Sequence, residues 1–448
     1  MIGGMALKLF QIFMIALMAL FLVACGLGDT KAIEEPLKPS LVELWTEDIE
    51  QFRTHVVRWH PRFANNTINR LQENLDIREA FDNSLDMLLE NLDDMSEFDI
   101  YVELQRTVSL LKDNHFFFTG FAGYDAGLRV TRYPAQFAYL SDGVYIIRTN
   151  ADNASILNSR LVAIGGVNVY EALERFTAFW SVENKYDARY QFALMLNSAS
   201  VLRAIGLSDG ESVTYSFENG ESITLSQTEQ WERLFTTLRW LPPASLVDNR
   251  AEGETPLFLQ YFRQNLWHEF NEENGILYIS IRGWVPDVQG TFARAVRNTF
   301  DNNDIKAVII DARSNPGGDA NQFTNLFVHM AHNLPEGRLF YFVNEGSNSG
   351  SLGAAYALEN MGAVIVGQPL AQNSTFFWFG SSQSVLRLEN SRMEITPPPT
   401  LFSALQFYQR EPADGIFRPH VLLEYTIDDW VNNYDPFFKY VLSQLEQD

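Results

Sequence analysis

The sequence predicts an α+β multidomain protein, with a helical N-terminal region, a small β-rich domain and a C-terminal α/β layer. Three observations carry this. From Leu41 to about Leu111 apolar residues recur at three- and four-residue spacing, the period of one helix face. From about residue 121 to 235 the runs are short, rich in β-branched and aromatic residues, and separated by Gly, Asn and Asp. From Gly275 onward strand-like and helix-like segments alternate, the order that builds a parallel sheet with crossover helices. At 448 residues the chain has room for two or three such units.

Residues 1–24 read as an export signal. Lys8 precedes the uncharged run LFQIFMIALMALFLVA, whose length and flanks fit a signal peptide better than a spanning helix. The tetrapeptide Leu22-Val23-Ala24-Cys25 resembles a bacterial lipobox, so Cys25 is the expected site of lipidation and the contact with a membrane. It is also the one cysteine of the chain, which excludes an internal disulfide. Residues 25–40, polar and containing Pro36 and Pro39, read as a tether.

In the helical region, 41–120, Leu41, Leu44, Trp45, Ile49, Phe52 and Val56 mark the first helix. Pro61 and Asn65-Asn66 end it, and Phe81, Leu85, Leu88 and Leu92 continue a second. A third, from near Glu97, runs out at Lys112-Asp113-Asn114-His115. The small domain, 121–235, holds AQFAYL, GVYIIRT, RLVAIGGVNV, VTYSF and SITLS, with one helix near Val169 to Trp180. Residues 236–272, with Pro242-Pro243 and an acidic patch, read as a linker. In 273–448 the strands are ILYISI, KAVIID, RLFYFV and AVIVG, with helices around 288–302, 319–332 and 351–361.

Composition excludes some functions. A net charge of −23 argues against a nucleic-acid partner. Neither a Walker loop nor GxGxxG occurs, so no nucleotide cofactor is expected. His329 and His332 share a helix face, but no acidic third ligand accompanies them and HExxH is absent, so no metal is expected.

Two loops could carry chemistry. Asp311 to Gly318, DARSNPGG, follows a buried strand, and its Gly pair offers backbone N–H groups and close approach. Asn344 to Ser351, NEGSNSGS, also follows a strand and enters a helix. A serine hydroxyl there would sit where helix N–H groups stabilise negative charge, or would simply cap the helix.

The ordered set KAVIIDARSNPGGDANQF then FVNEGSNSGSLGAAYALENMGAVIVGQP resembles the tail-specific, or C-terminal processing, serine peptidases, the clan that includes the tricorn core. WTEDIEQFRTHVVRWHP, LQRTVSLLKDNHFFF, FWSVENKYDARYQF, LYISIRG and DDWVNNYDPFFKYVL fit as well, so the resemblance covers most of the mature chain. It implies a PDZ-like small domain, a crotonase-like protease core, a peptide or protein substrate, and Ser349 as nucleophile. It also implies an oxyanion hole from the N–H groups of Gly350 and of Gly317 or Gly318. Many relatives place a basic lysine some two dozen residues after the serine, but no lysine lies between Lys306 and Lys439. The tricorn-like branch uses a histidine, and its D-x-H position matches His115, the side-chain type suited to accept a hydroxyl proton near neutrality. An acid to orient it is expected before GIFRPHV, with Glu411 first and Asp414 second.

The expectation is thus a lipid-anchored, extracytoplasmic serine endopeptidase. The alternative is an inactive lipoprotein of the same fold that binds peptides or protein C-termini. A solute-binding lipoprotein with two α/β lobes is disfavoured by the all-helical segment 41–111.

Overall fold

The computed structural model describes residues 40–64, 71–120, 131–227, 246–261, 264–379, 385–396, 399–403, 412 and 414–446. Cys25, the signal segment and Glu411 lie outside the described residues. From Trp45 to Asp448 the chain forms one compact unit. No helix among the described residues is long and apolar enough to cross a membrane.

The helical region follows its apolar periodicity. The Leu41–Trp59 helix buries Trp45, Ile49, Phe52 and Val56, and Gln72–Glu90 buries Ile77, Phe81, Leu85 and Leu88. The two meet at Phe52 and Phe81, ring centroids 5.8 Å apart. A capping box on Ser96 and Asp99 starts the third helix, Glu97–Ser109. The chain then leaves the helix and runs through His115 into a short strand at Phe118–Gly120.

The next segment forms a hairpin, Ala135–Leu140 with Gly143–Thr149. An antiparallel sheet follows in the order Val167–Asn168, Leu161–Ile164, Ser212–Phe217, Ser222–Ser226. It carries three helices rather than the single one expected: Val169–Phe179, Lys185–Met195 and Ala199–Ala204. The second was hidden because its apolar face is weak. What fixes its start is Asn184, whose side chain accepts from the N–H groups of Tyr186 and Asp187.

The C-terminal sheet has six strands in the order Val421–Leu422, Val364–Gly367, Leu339–Val343, Ala307–Asp311, Ile276–Ile281, Leu266–Asn271. The first five run parallel. Leu266–Asn271, inside the stretch read as a linker, is an antiparallel edge, so the sheet is mixed. Every residue of Ile276–Ile281, Ala307–Asp311 and Leu339–Val343 is buried, as strands covered on both faces require.

Alternation sorts their side chains. Leu277, Ile279, Val308, Ile310, Tyr341 and Val343 pack under the helices Thr291–Asp301, Thr324–Asn333 and Gly350–Asn360. Ile276, Tyr278, Ile309, Phe340 and Phe342 face Phe437 and Val441 of the final helix, Pro436–Leu445. Consecutive parallel neighbours joined by crossovers of one hand put all three helices on one face, leaving the other for the C-terminus.

Candidate active site

The two Gly- and Ser-bearing loops leave the carboxyl ends of adjacent strands and lock together. The Arg313 guanidinium, completely enclosed, donates to Asp311 Oδ2 at 2.5 Å and to both oxygens of Asp435 at 3.0 and 2.9 Å. It lies 4.2 Å from the Phe258 ring centre and 4.8 Å from that of Phe437. This fixes the strand end from which the first loop leaves. Asn315, fully buried, donates to Ile281 O at 2.8 Å, and its Oδ1 accepts from Gly317 N–H at 2.9 Å. Its carbonyl accepts from Asn348 N–H at 2.9 Å and from the Ser351 hydroxyl at 3.1 Å.

The three serines of the second loop have different fates. Ser347 is fully buried and donates to Ala312 O at 2.8 Å. Ser351 is fully buried between Asn315 O and the Trp284 indole N–H, which it accepts at 3.0 Å. Ser349 is partly exposed, with φ 51 and ψ −114, a backbone conformation costly for any residue with a Cβ. It stands at the N-cap of the Gly350–Asn360 helix, yet its side chain makes no capping bond. Among the described residues its hydroxyl has no hydrogen-bond partner, so it is a hydroxyl held out by the backbone and used for nothing structural.

Gly317 and Gly350 are glycines because the loops touch through them. A Cβ at Gly317 would lie 2.5 Å from Ser349 Cβ, and one at Gly350 would lie 2.0 Å from Gly318 O. The sequence left Gly317 and Gly318 as equal candidates for an oxyanion donor. Gly317 N–H is spent on Asn315, whereas among the described residues no acceptor takes the N–H of Gly318 or of Gly350.

His115 is buried at 4% exposure, and its backbone N–H donates to Asp113 Oδ1 at 2.8 Å. Asp113, fully buried, holds His60 Nε2 through its other oxygen at 3.1 Å. Burial pushes the His115 pKa below its usual value, with Asp113 offsetting part of the effect. His115 and the Ser349 loop are joined by Gln372, a fully buried residue. Ser349 N–H donates to Gln372 Oε1 at 2.5 Å, and Gln372 Nε2 lies 3.3 Å from His115 Nδ1.

Behind this amide stands Glu183. The residue is partly exposed but its carboxyl is enclosed, and burial first, then Asp113, holds its pKa well above the usual range. Its Oε2 accepts from Asn373 N–H at 2.9 Å. Asp113, His115 and Glu183 offer ligand atoms within 4.8 Å of one another. The oxygens of Asp113 and Glu183 also receive His60, Gln372, Asn373 and backbone N–H groups.

Asp414, the second choice for an orienting acid, is exposed and both its oxygens are bound by Arg418. The structure does not bring it to the buried imidazole. Gln372, Glu183 and Asp113 were given no role from the sequence. Asp113 lies in the D-x-H match and could have been singled out, but no local signal marks the other two. A cavity of about 120 Å³ lies behind the same loop, against Tyr139, Tyr190, Arg282, Ser314 and Asn344. Neither Ser349 nor His115 lines it.

No family model matches the sequence, and no curated protein matches it. Solved structures do. A serine-to-alanine mutant of CPAF has a TM-score of 0.61 at 12% identity, covering 91% of this chain and 97% of its own. Mature CPAF complexed with lactacystin gives 0.58 at 12% identity, covering 91% and 98%. The photosystem II D1 C-terminal processing protease is a looser likeness, TM-score 0.36 at 12% identity over 86% and 94%. The chain shares with CPAF an α+β multidomain fold with a helical N-terminal part and a mixed sheet. The tail-specific peptidase resemblance read from the sequence is borne out at the level of the fold.

Proposed function

We propose that the chain is a serine endopeptidase of the tail-specific kind, with Ser349 as nucleophile and His115 as base. The observation that carries this is the strained Ser349 backbone at a helix N-terminus, between two serines committed to packing. Ser349 Oγ attacks the peptide carbonyl and its proton passes to His115. The tetrahedral oxyanion accepts from Gly318 and Gly350 N–H. Collapse expels the amine, which takes the proton from His115, and water then hydrolyses the acyl-enzyme by the same steps.

The small domain with its antiparallel sheet would be PDZ-like and the C-terminal layer crotonase-like, with domain boundaries near 120, 235 and 272. Substrates would be peptides or proteins. The signal-like segment and Cys25 support export and lipid anchoring to a bacterial membrane, outside the cytoplasm.

Single alanine replacements test the assignment. Ser349→Ala should abolish peptide cleavage and labelling by a serine-directed phosphonate. Ser347→Ala and Ser351→Ala should lower stability by about 1–3 kcal/mol, the cost of orphaned buried partners, while the label still reacts. Labelling that survives in Ser349→Ala and vanishes in Ser347→Ala would move the nucleophile.

A further inference from the structure

We infer that Gln372 is a positioning residue for His115, fixing which ring nitrogen carries the proton. The inference rests on the reading of His115 as the base. The orientation of the amide is not free. One end receives Ser349 N–H at 2.5 Å and must be the oxygen, so the end 3.3 Å from His115 Nδ1 is the NH2 group. That group also points to Glu183 Oε1, at 3.5 Å. An amide NH2 only donates, so Nδ1 accepts and the neutral ring keeps its proton on Nε2.

Two alternatives are blocked. A proton on Nδ1 would set N–H against N–H. Turning the amide over would set NH2 against Ser349 N–H. Gln372 is fully buried, so solvent does not soften either conflict. Among the described residues, the ionisable groups placed against the ring include Asp113, with Oδ1 4.0 Å from Nδ1, and Glu183 behind the amide. His60 binds the other oxygen of Asp113, and Asp187 stands near Glu183.

An imidazolium bears a proton on both nitrogens. Only the unprotonated nitrogen can gain a proton, so the ring takes up the Ser349 proton at Nδ1; the amide must release Nδ1 for this, and Asp113 Oδ1, 4.0 Å away, is placed to receive Nδ1–H afterwards. One proton leaves Ser349 Oγ and one arrives on the ring. A hydrogen bond donated to the neutral form opposes that arrival, so Gln372 adds to burial in keeping His115 neutral. The base would stay competent in more acidic medium than an ordinary histidine, with the amide as the group that must yield.

The test is NMR on the full chain labelled with 15N histidine, with His115→Gln assigning one signal among seven histidines. In the wild-type protein Nδ1 should report as unprotonated and Nε2 as protonated. In Gln372→Met the His115 midpoint should rise by roughly one pH unit, a tenfold gain in proton affinity, and the acidic limb of kcat/KM should move with it. A wild-type ring protonated on Nδ1 overturns the inference, and this measurement needs no variant to fold. So does an unmoved midpoint in Gln372→Met, even with activity lost, since that is the signature of a merely structural role. Failure of the peptidase reading shows separately, as absence of phosphonate labelling at Ser349, and leaves the ring measurements intact.

Discussion

Replacing Gly317 by alanine probes the tightest approach in the site. The new Cβ would fall 2.5 Å from Ser349 Cβ and 3.0 Å from the Gly350 nitrogen. Carbon atoms ordinarily meet at about 3.5 Å or more, so one of the two loops must move by roughly 1 Å. Gly317 also has φ 114, which costs a side chain on the order of 1–3 kcal/mol. Gly337 separates the two effects, because it has φ 76 but nothing within 4 Å of its Cβ position. Gly337→Ala should therefore lose about 1–2 kcal/mol of stability and no turnover. Gly317→Ala should lose at least as much stability. It should also lose roughly 100- to 1,000-fold in kcat, because Ser349 and the N–H groups of Gly318 and Gly350 shift against one another. Urea unfolding measures the first term, and kcat on a quenched peptide with the phosphonate labelling rate measures the second. A folded Gly317→Ala protein that turns over at the wild-type rate would refute the packing argument and the oxyanion assignment together.

Two further outcomes follow. A base works only when neutral, and burial, partly offset by Asp113, lowers the His115 pKa; kcat/KM should therefore stay flat through neutrality and decline only below about 6.5. His115→Ala should remove the activity, and an unchanged acidic limb in a still-active His115→Ala protein would exclude this base. For anchoring, Cys25→Ser should leave the precursor uncleaved or released, because serine cannot form the thioether. Unchanged membrane fractionation with an unmodified wild-type N-terminus by mass spectrometry would contradict the lipobox.

The sequence by itself determined what local periodicity can encode. Three- and four-residue spacing marked Trp45, Ile49, Phe52 and Val56 as one helix face, and they are buried together. The runs ILYISI, KAVIID and RLFYFV were legible as strands of a parallel layer, and Ile276–Ile281, Ala307–Asp311 and Leu339–Val343 are buried throughout. The absence of lysine from 307 to 438 ruled out one base without any coordinates. Leu266–Asn271 was missed because an edge strand is half covered and its pattern is weak. The site's finer logic is not written in any local pattern. Ser347, Ser349 and Ser351 are chemically alike in sequence, and only loop-on-loop packing buries two and strains the third. Gly317 and Gly318 are adjacent glycines, and only Asn315 decides which N–H is spent. Gln372 stands 257 residues from His115, and only the tertiary fold sets its amide between that ring and Ser349. Periodicity reports which face of an element is covered, whereas hydrogen-bond direction depends on which distant groups the fold brings within about 3 Å.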